Sequence, residues 1–125
     1  MLISLDLSSS IPIYVQIRNQ IVIGISKGDF EIGEKLPPIR VLAKEAGVNT
    51  MTVNKAYQLL KQEGYIYTDR RKGAIICSKG NGTGKLSLEL KKKLKLIICE
   101  ASFNGVSKKE FIEHCNEIYN EMGND

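Results

Sequence analysis

The chain has 125 residues, 42% of them hydrophobic and 26% charged, a globular composition with room for one core-bearing domain and an appendage. Its 18 Lys and Arg outnumber 14 Asp and Glu, for a net charge of +4, which favours an anionic partner without naming it. Cys77, Cys99 and Cys115 are odd in number, far apart and form no C-x-x-C pair, a pattern that suggests neither a disulfide framework nor a zinc knuckle and fits a reducing, cytoplasmic setting.

Residues 2–7 (LISLDL) alternate weakly and are expected to be extended, and Ser8, Ser9 and Ser10 followed by Ile11 and Pro12 mark a helix start. Ile13, Ile17, Ile21 and Ile25 recur every four residues, so the spacing predicts a first helix that ends at Gly28 with these isoleucines toward a core. Gly33, Pro37 and Pro38 then interrupt the chain before a short helix, Ile39 to Ala46, in which Leu42, Ala43 and Ala46 share a face. Gly47, Val48 and Asn49 form a three-residue turn, with Asn49 placed to cap a third helix from about Thr50 to Glu63. Along it, Val53, Ala56, Tyr57 and Leu60 fall at i, i+3, i+4 and i+7 and face inward, leaving Thr50, Met51, Asn54, Lys55 and Gln58 outward. Beyond Gly64, the β-prone runs Tyr65–Tyr67 and Ala74–Ile76 flank residues 68–73 and predict a hairpin with a basic tip.

Residues 78–84 (SKGNGTG) hold three glycines and no apolar side chain, the composition of a linker. The expected organisation is therefore a first domain over residues 1–78, a linker over 79–84 and a two-helix region over 85–125. In the first tail helix Leu90, Leu94, Ile97, Ile98 and Ala101 make an apolar stripe. In the second, started by Ser107 with Glu110 at capping-box spacing, Phe111, Cys115, Ile118 and Met122 make another. Two short helices cannot cover both stripes themselves, so a second copy of the chain is expected to do so. The predicted dimer interface comprises Leu90, Leu94, Ile97, Ile98, Ala101, Phe111, Ile112, Cys115, Ile118 and Tyr119. Lys91, Lys92, Lys93 and Lys95 read as the solvated side of the first tail helix.

The expected fold is mainly α with a small β wing, an α+β chain: a winged helix-turn-helix domain followed by a two-helix dimerisation tail. Helix, turn, outward-facing polar helix and basic hairpin in that order describe a reader of double-stranded DNA, with the third helix in the major groove and the wing on the adjacent minor groove or backbone. Asn54 suits bidentate bonding to adenine, and Thr50 or Met51 suits packing on a thymine methyl. Thr52 and Lys55 are better placed for phosphates. Arg70, Arg71 and Lys72 concentrate three positive charges at the hairpin tip, with Gly73 letting the backbone approach. Arg40 at the start of the second helix, Lys44 one turn later and Asn49 in the turn complete the expected contact set.

Residues 12–67 resemble the GntR family of bacterial regulators closely, through PIY-x-QI, a glycine after the first helix, LP-x-x-R-x-LA, GVN-x-x-TV-x-x-AY-x-x-L and EG-x-I. With the wing, the likeness extends to about residue 77, and the short two-helix tail is similar to the YtrA-type subfamily, whose members lack the large effector domain of other GntR regulators. The resemblance implies a DNA-binding regulator acting as a homodimer, commonly a repressor on an inverted-repeat operator, and assigns Arg40 to face DNA. Three departures limit the transfer. Pro38 replaces a serine able to cap the second helix, Thr50 stands where many members carry arginine and so removes a guanine contact, and the wing reads RRKGAI where a glycine-rich tip is usual.

No catalytic constellation is present, since the single His114 stands alone near Glu113 and Glu117, no serine lies in a nucleophile elbow and no glycine-rich loop has Walker spacing. The chain is expected to be no enzyme and to need no cofactor or metal, and a small-molecule effector is left unidentified. No charged and apolar leader and no run near ~20 apolar residues points to secretion or a membrane. The alternative is a winged protein-interaction module without specific DNA binding, which salt dependence would separate from a DNA reader. A thiol sensor at Cys99 or Cys115 is the weaker expectation, because both fall in apolar stripes.

Overall fold

The computed structural model describes residues 3–77 and 84–123. Contacts divide the chain into one unit through Gly80 and a second from Asn81 onward. The expected linker lies, apart from Gly84, outside the described residues.

In the first unit α1 (Ile13–Lys27), α2 (Ile39–Ala46) and α3 (Thr50–Gln62) precede a hairpin of β1 (Ile66–Asp69) and β2 (Gly73–Ile76). Pro12 and Pro38 stand immediately before α1 and α2 with φ near −55° (−54° and −56°) and no side-chain cap, a position where a missing N–H costs nothing. The core joins Ile17 and Ile21 of α1, Leu42 and Ala43 of α2, and Val53, Ala56, Tyr57 and Leu60 of α3 to Leu36, Ile66 and Ile76. Each fully buried aliphatic side chain among them contributes about 1.5–3 kcal/mol relative to exposure. Of the four isoleucines expected on the core side of α1, Ile17 and Ile21 are buried, whereas Ile13 and Ile25 are half-buried at its margin. A four-residue row turns by about 40° per step on a 3.6-residue helix, so its ends rotate away from the core.

Residues 3–12 join no strand. Glutamine side chains on α1 stand in for a neighbouring strand. Gln16 Oε1 accepts from Asp6 N at 2.8 Å, and its Nε2 donates to the carbonyls of Asp6 and Ile11 at 3.0 and 2.8 Å. Gln20 Oε1 accepts from Ser4 N at 2.9 Å, and Ile3 and Leu5 pack on the core beneath.

β1 and β2 pair antiparallel, with Ile66 opposite Ile76 and Asp69 opposite Gly73. The loop before α2 runs beside β2, with a bridge between Lys35 and Ile75 and a Leu36 N–H bond to the Ala74 carbonyl at 2.8 Å. This contact carries Lys35 to the wing. At the tip, Asp69 Oδ1 accepts from the N–H groups of Arg71 and Lys72 at 2.7 and 3.0 Å, and Gly73 leaves the turn at φ +87°, a conformation disfavoured for residues with a β-carbon.

The second unit is a helical pair, α4 (Leu88–Phe103) and α5 (Lys108–Glu121). Ser87 caps α4 by accepting from Leu90 N, and Ser107 and Glu110 form a reciprocal capping box on α5, which satisfies N–H groups that a helix start leaves open. Leu94, Ile98, Ala101, Val106, Phe111 and Cys115 line an open cleft of about 410 Å³ between the two helices. None of the described residues of this unit is fully buried. Leu90, Ile97, Ile118 and Tyr119 are 50%, 52%, 55% and 56% exposed. Among the described residues no helix is long and apolar enough to cross a membrane.

Candidate nucleic-acid interface

The inner face of α3 is fixed before its outer face can present anything. Gly47 holds φ +69° between α2 and α3, and Asn49 Oδ1 accepts from Met51 N at 2.7 Å, capping the head of α3. The Tyr57 hydroxyl donates to the Pro37 carbonyl at 2.6 Å, tying the approach to α2 onto α3. Burial pushes the Tyr57 phenol well above its ordinary pKa, so it remains a neutral donor. Arg18 on α1 pairs through two nitrogens with Glu63 at the end of α3, at 2.8 and 3.2 Å, and lies 5.5 Å from the centre of the Tyr65 ring.

Two concavities border the outer face. Met51, Thr52, Asn54, Lys55 and Gln58 line a shallow groove of about 510 Å³ along α3. A cleft of about 440 Å³ lies between α2, α3 and the wing, and six cations line it: Lys35, Arg40, Lys61, Arg70, Arg71 and Lys72. Among the described residues no Asp or Glu lines it. Asn54 and Gln58 border both spaces. Such a one-signed cleft with low-dielectric walls concentrates anions. The nearby Asp69 carboxylate is turned to its own loop: the backbone N–H groups of Arg71 and Lys72 hold its pKa below 3.8, with help from the Lys72 charge.

Of the residues the sequence singled out, Arg40, Asn54, Arg70, Arg71, Lys72 and Gly73 meet around the basic cleft, and Met51, Thr52 and Lys55 join Asn54 along α3. Lys44, Asn49 and Thr50 are exposed but line neither space, and the Asn49 side-chain oxygen is engaged as a cap. Lys55 Nζ lies 4.5 Å from the centre of the Tyr14 ring, a contact of about 0.5–1 kcal/mol at an exposed site, which restrains the ammonium without removing it. Sequence reasoning omitted Lys35, Gln58 and Lys61 from the site. Gln58 and Lys61 continue the outward row of Asn54 and were visible as periodicity. Lys35 was not, because only the bridge to Ile75 brings it there. Lys61 Nζ donates to Thr68 Oγ1 at 3.1 Å, linking α3 to the wing.

Residues 13–76 match the gntR family of bacterial regulatory proteins. The chain belongs to that family. It is 38% identical over 120 residues to the HTH-type transcriptional repressor YtrA of Bacillus subtilis (strain 168), covering 94% of this chain and 92% of that one, so the likeness continues through the tail and the chain is of the YtrA type. A Listeria monocytogenes EGD-e structure described as a transcriptional antiterminator superposes with a TM-score of 0.87 at 33% identity, over 98% of this chain and 92% of that one. The AraR DNA-binding domain in complex with operator ORE1 matches 62% of this chain and 94% of its own length, at 25% identity and a TM-score of 0.53. The family resemblance and the fold class expected from the sequence are thus established, and the family is one of DNA-binding transcription regulators, not enzymes.

Proposed function

We propose that this regulator is a cytoplasmic repressor that binds an inverted-repeat operator as a homodimer. The observation that carries the reading is the six-cation cleft without a carboxylate, bordered by the polar face of α3. In this arrangement α3 enters the major groove, Arg40 grips the backbone beside it, and Arg70, Arg71 and Lys72 at the wing tip reach the neighbouring minor groove and its phosphates. The organisation we propose is a DNA-binding domain over residues 1–78, a linker over 79–84 and a dimerisation region over 85–125. Support for the dimer comes from the apolar faces of α4 and α5, where Leu90, Ile97 and Ile118 are about half exposed; such contiguous patches mark association surfaces. Support for repression comes from YtrA, named a repressor, and for operator binding from the AraR complex.

A two-fold dimer presents its recognition helices about one helical turn, roughly 34 Å, apart. Selection of random duplex DNA by the full-length chain should therefore recover an inverted repeat with that half-site spacing, and its affinity should fall steeply with salt. Recovery of no preferred sequence, or binding insensitive to salt, would leave the protein-interaction module as the better reading.

A further inference from the structure

The row Met51, Asn54, Gln58 and Lys61 runs at i, i+3, i+7 and i+10 along the outer side of α3. Its own cation, Lys61, donates to Thr68, and the adjacent Lys55 is restrained over the Tyr14 ring. Among the described residues no guanidinium lines the groove along α3, since Arg40 and the wing arginines border the basic cleft instead. Beside Met51, the row offers base edges a pair of hydrogen-bonding amides one turn apart, Asn54 and Gln58. Among the described residues neither forms a hydrogen bond within the chain, whereas Gln16, Gln20 and Asn49 commit theirs to the fold.

We propose that Gln58 is a second base-reading residue, and that Asn54 and Gln58 together read two adenines separated by one base pair in each half-site. The inference rests on the DNA-binding reading above. A carboxamide offers one acceptor and two donors, the complement of the adenine N6 and N7 edge. Four residues of helix advance about 6 Å, close to two base steps of about 3.4 Å each. Recognition helices touch bases chiefly with their first turns, so the more distant position needs the longer side chain. Gln58 has one methylene more than Asn54.

The test starts from the operator that the full-length chain selects. Every base pair of one half-site is then varied against wild type, Gln58→Ala and Gln58→Glu. Gln58 is exposed, so both variants should keep the wild-type melting profile. Wild type should prefer A·T at two positions with one pair between them. Gln58→Ala should lose about 10- to 100-fold of the preference at one of these and keep it at the other, with binding to random DNA unchanged. Gln58→Glu should move the preferred base from adenine to cytosine, whose N4 amino group donates to a carboxylate. A selected half-site requiring G·C at these positions, or positional preferences untouched by either variant, overturns the adenine pair while leaving operator binding intact. Failure of the wild type to select any sequence overturns both.

Discussion

Replacing Arg71 by Ala isolates one charge of the wing. The Arg71 side chain is exposed, and its backbone N–H, not its guanidinium, is what Asp69 holds at 2.7 Å. The turn therefore keeps its internal bonds when the side chain is truncated. On B-DNA each neutralised phosphate contributes about −0.9 to the slope of log K against log salt, and the proposed dimer would bring two copies of Arg71, so the slope should become shallower by about 1.8. Between about 50 and about 200 mM salt the wild type should then lose about 12-fold more affinity than the variant, because a fourfold salt increase raised to the power 1.8 is near 12. Fluorescence anisotropy at several salt concentrations, on operator and on random duplex, measures both slopes. An unchanged slope refutes phosphate contact by Arg71. A change near 0.9 refutes the delivery of two wings to one operator.

Ile97 is 52% exposed and lies outside the cleft between α4 and α5, so Ile97→Glu should spare the helical pair and convert the proposed dimer to monomer in sedimentation velocity; a variant as dimeric as wild type would move the interface off this face. Gln16→Ala removes three hydrogen bonds to the N-terminal segment and should lower stability by about 2 kcal/mol in a urea melt, with faster exchange at the Asp6 amide; equal midpoints would show that water replaces these bonds without loss. The Asp69 carboxyl has its pKa lowered from 3.8 by the backbone bonds from Arg71 and Lys72. A depressed folded value means its contribution is complete above the unfolded value and is lost as pH falls through the folded one. Protection of the Arg71 and Lys72 amides should therefore be constant from about pH 7 to about pH 5 and fade only below the usual carboxylate range, a dependence absent in Asp69→Ala. Fading already near neutral pH would assign the effect to another group.

The inner face of α3 was legible in the sequence because one helix carries its whole pattern: Val53, Ala56, Tyr57 and Leu60 are all buried as their spacing predicts. The caps were legible for the same local reason, with Asn49 and Ser107 bonding N–H groups two and three residues ahead. Contacts between distant segments were not. Arg18 and Glu63 are 45 residues apart, and nothing around either announces the pair. Gln16 looks like an ordinary surface residue of an amphipathic helix, yet it is buried, because it supplies the hydrogen bonds that a strand beside Asp6 would have made. The basic cleft draws on the loop before α2, on α2, on α3 and on the wing, so periodicity within α3 could point to its outer row but not to Lys35 opposite.

The tail shows where periodicity stops being informative. The stripe on α3 and the stripe on α4 have the same helical form in sequence, and each states only that one side avoids water. On α3 that side meets α1 and α2, and Val53, Ala56 and Leu60 are each 0% exposed. On α4 the helix opposite covers part of the stripe, leaving Leu94 and Ile98 38% and 45% exposed above the cleft. A stripe that its own unit covers defines a fold, whereas one left open needs another surface, and isolated pairs of short helices are marginal without such burial. Under the function proposed above, the open stripe and the cation-lined cleft have complementary partners, a second copy of the chain for one and a polyanion for the other. In that proposal a two-fold operator serves both at once, because pairing through the tails would bring two such clefts to one duplex and multiply the effective concentration of the second head once the first is bound.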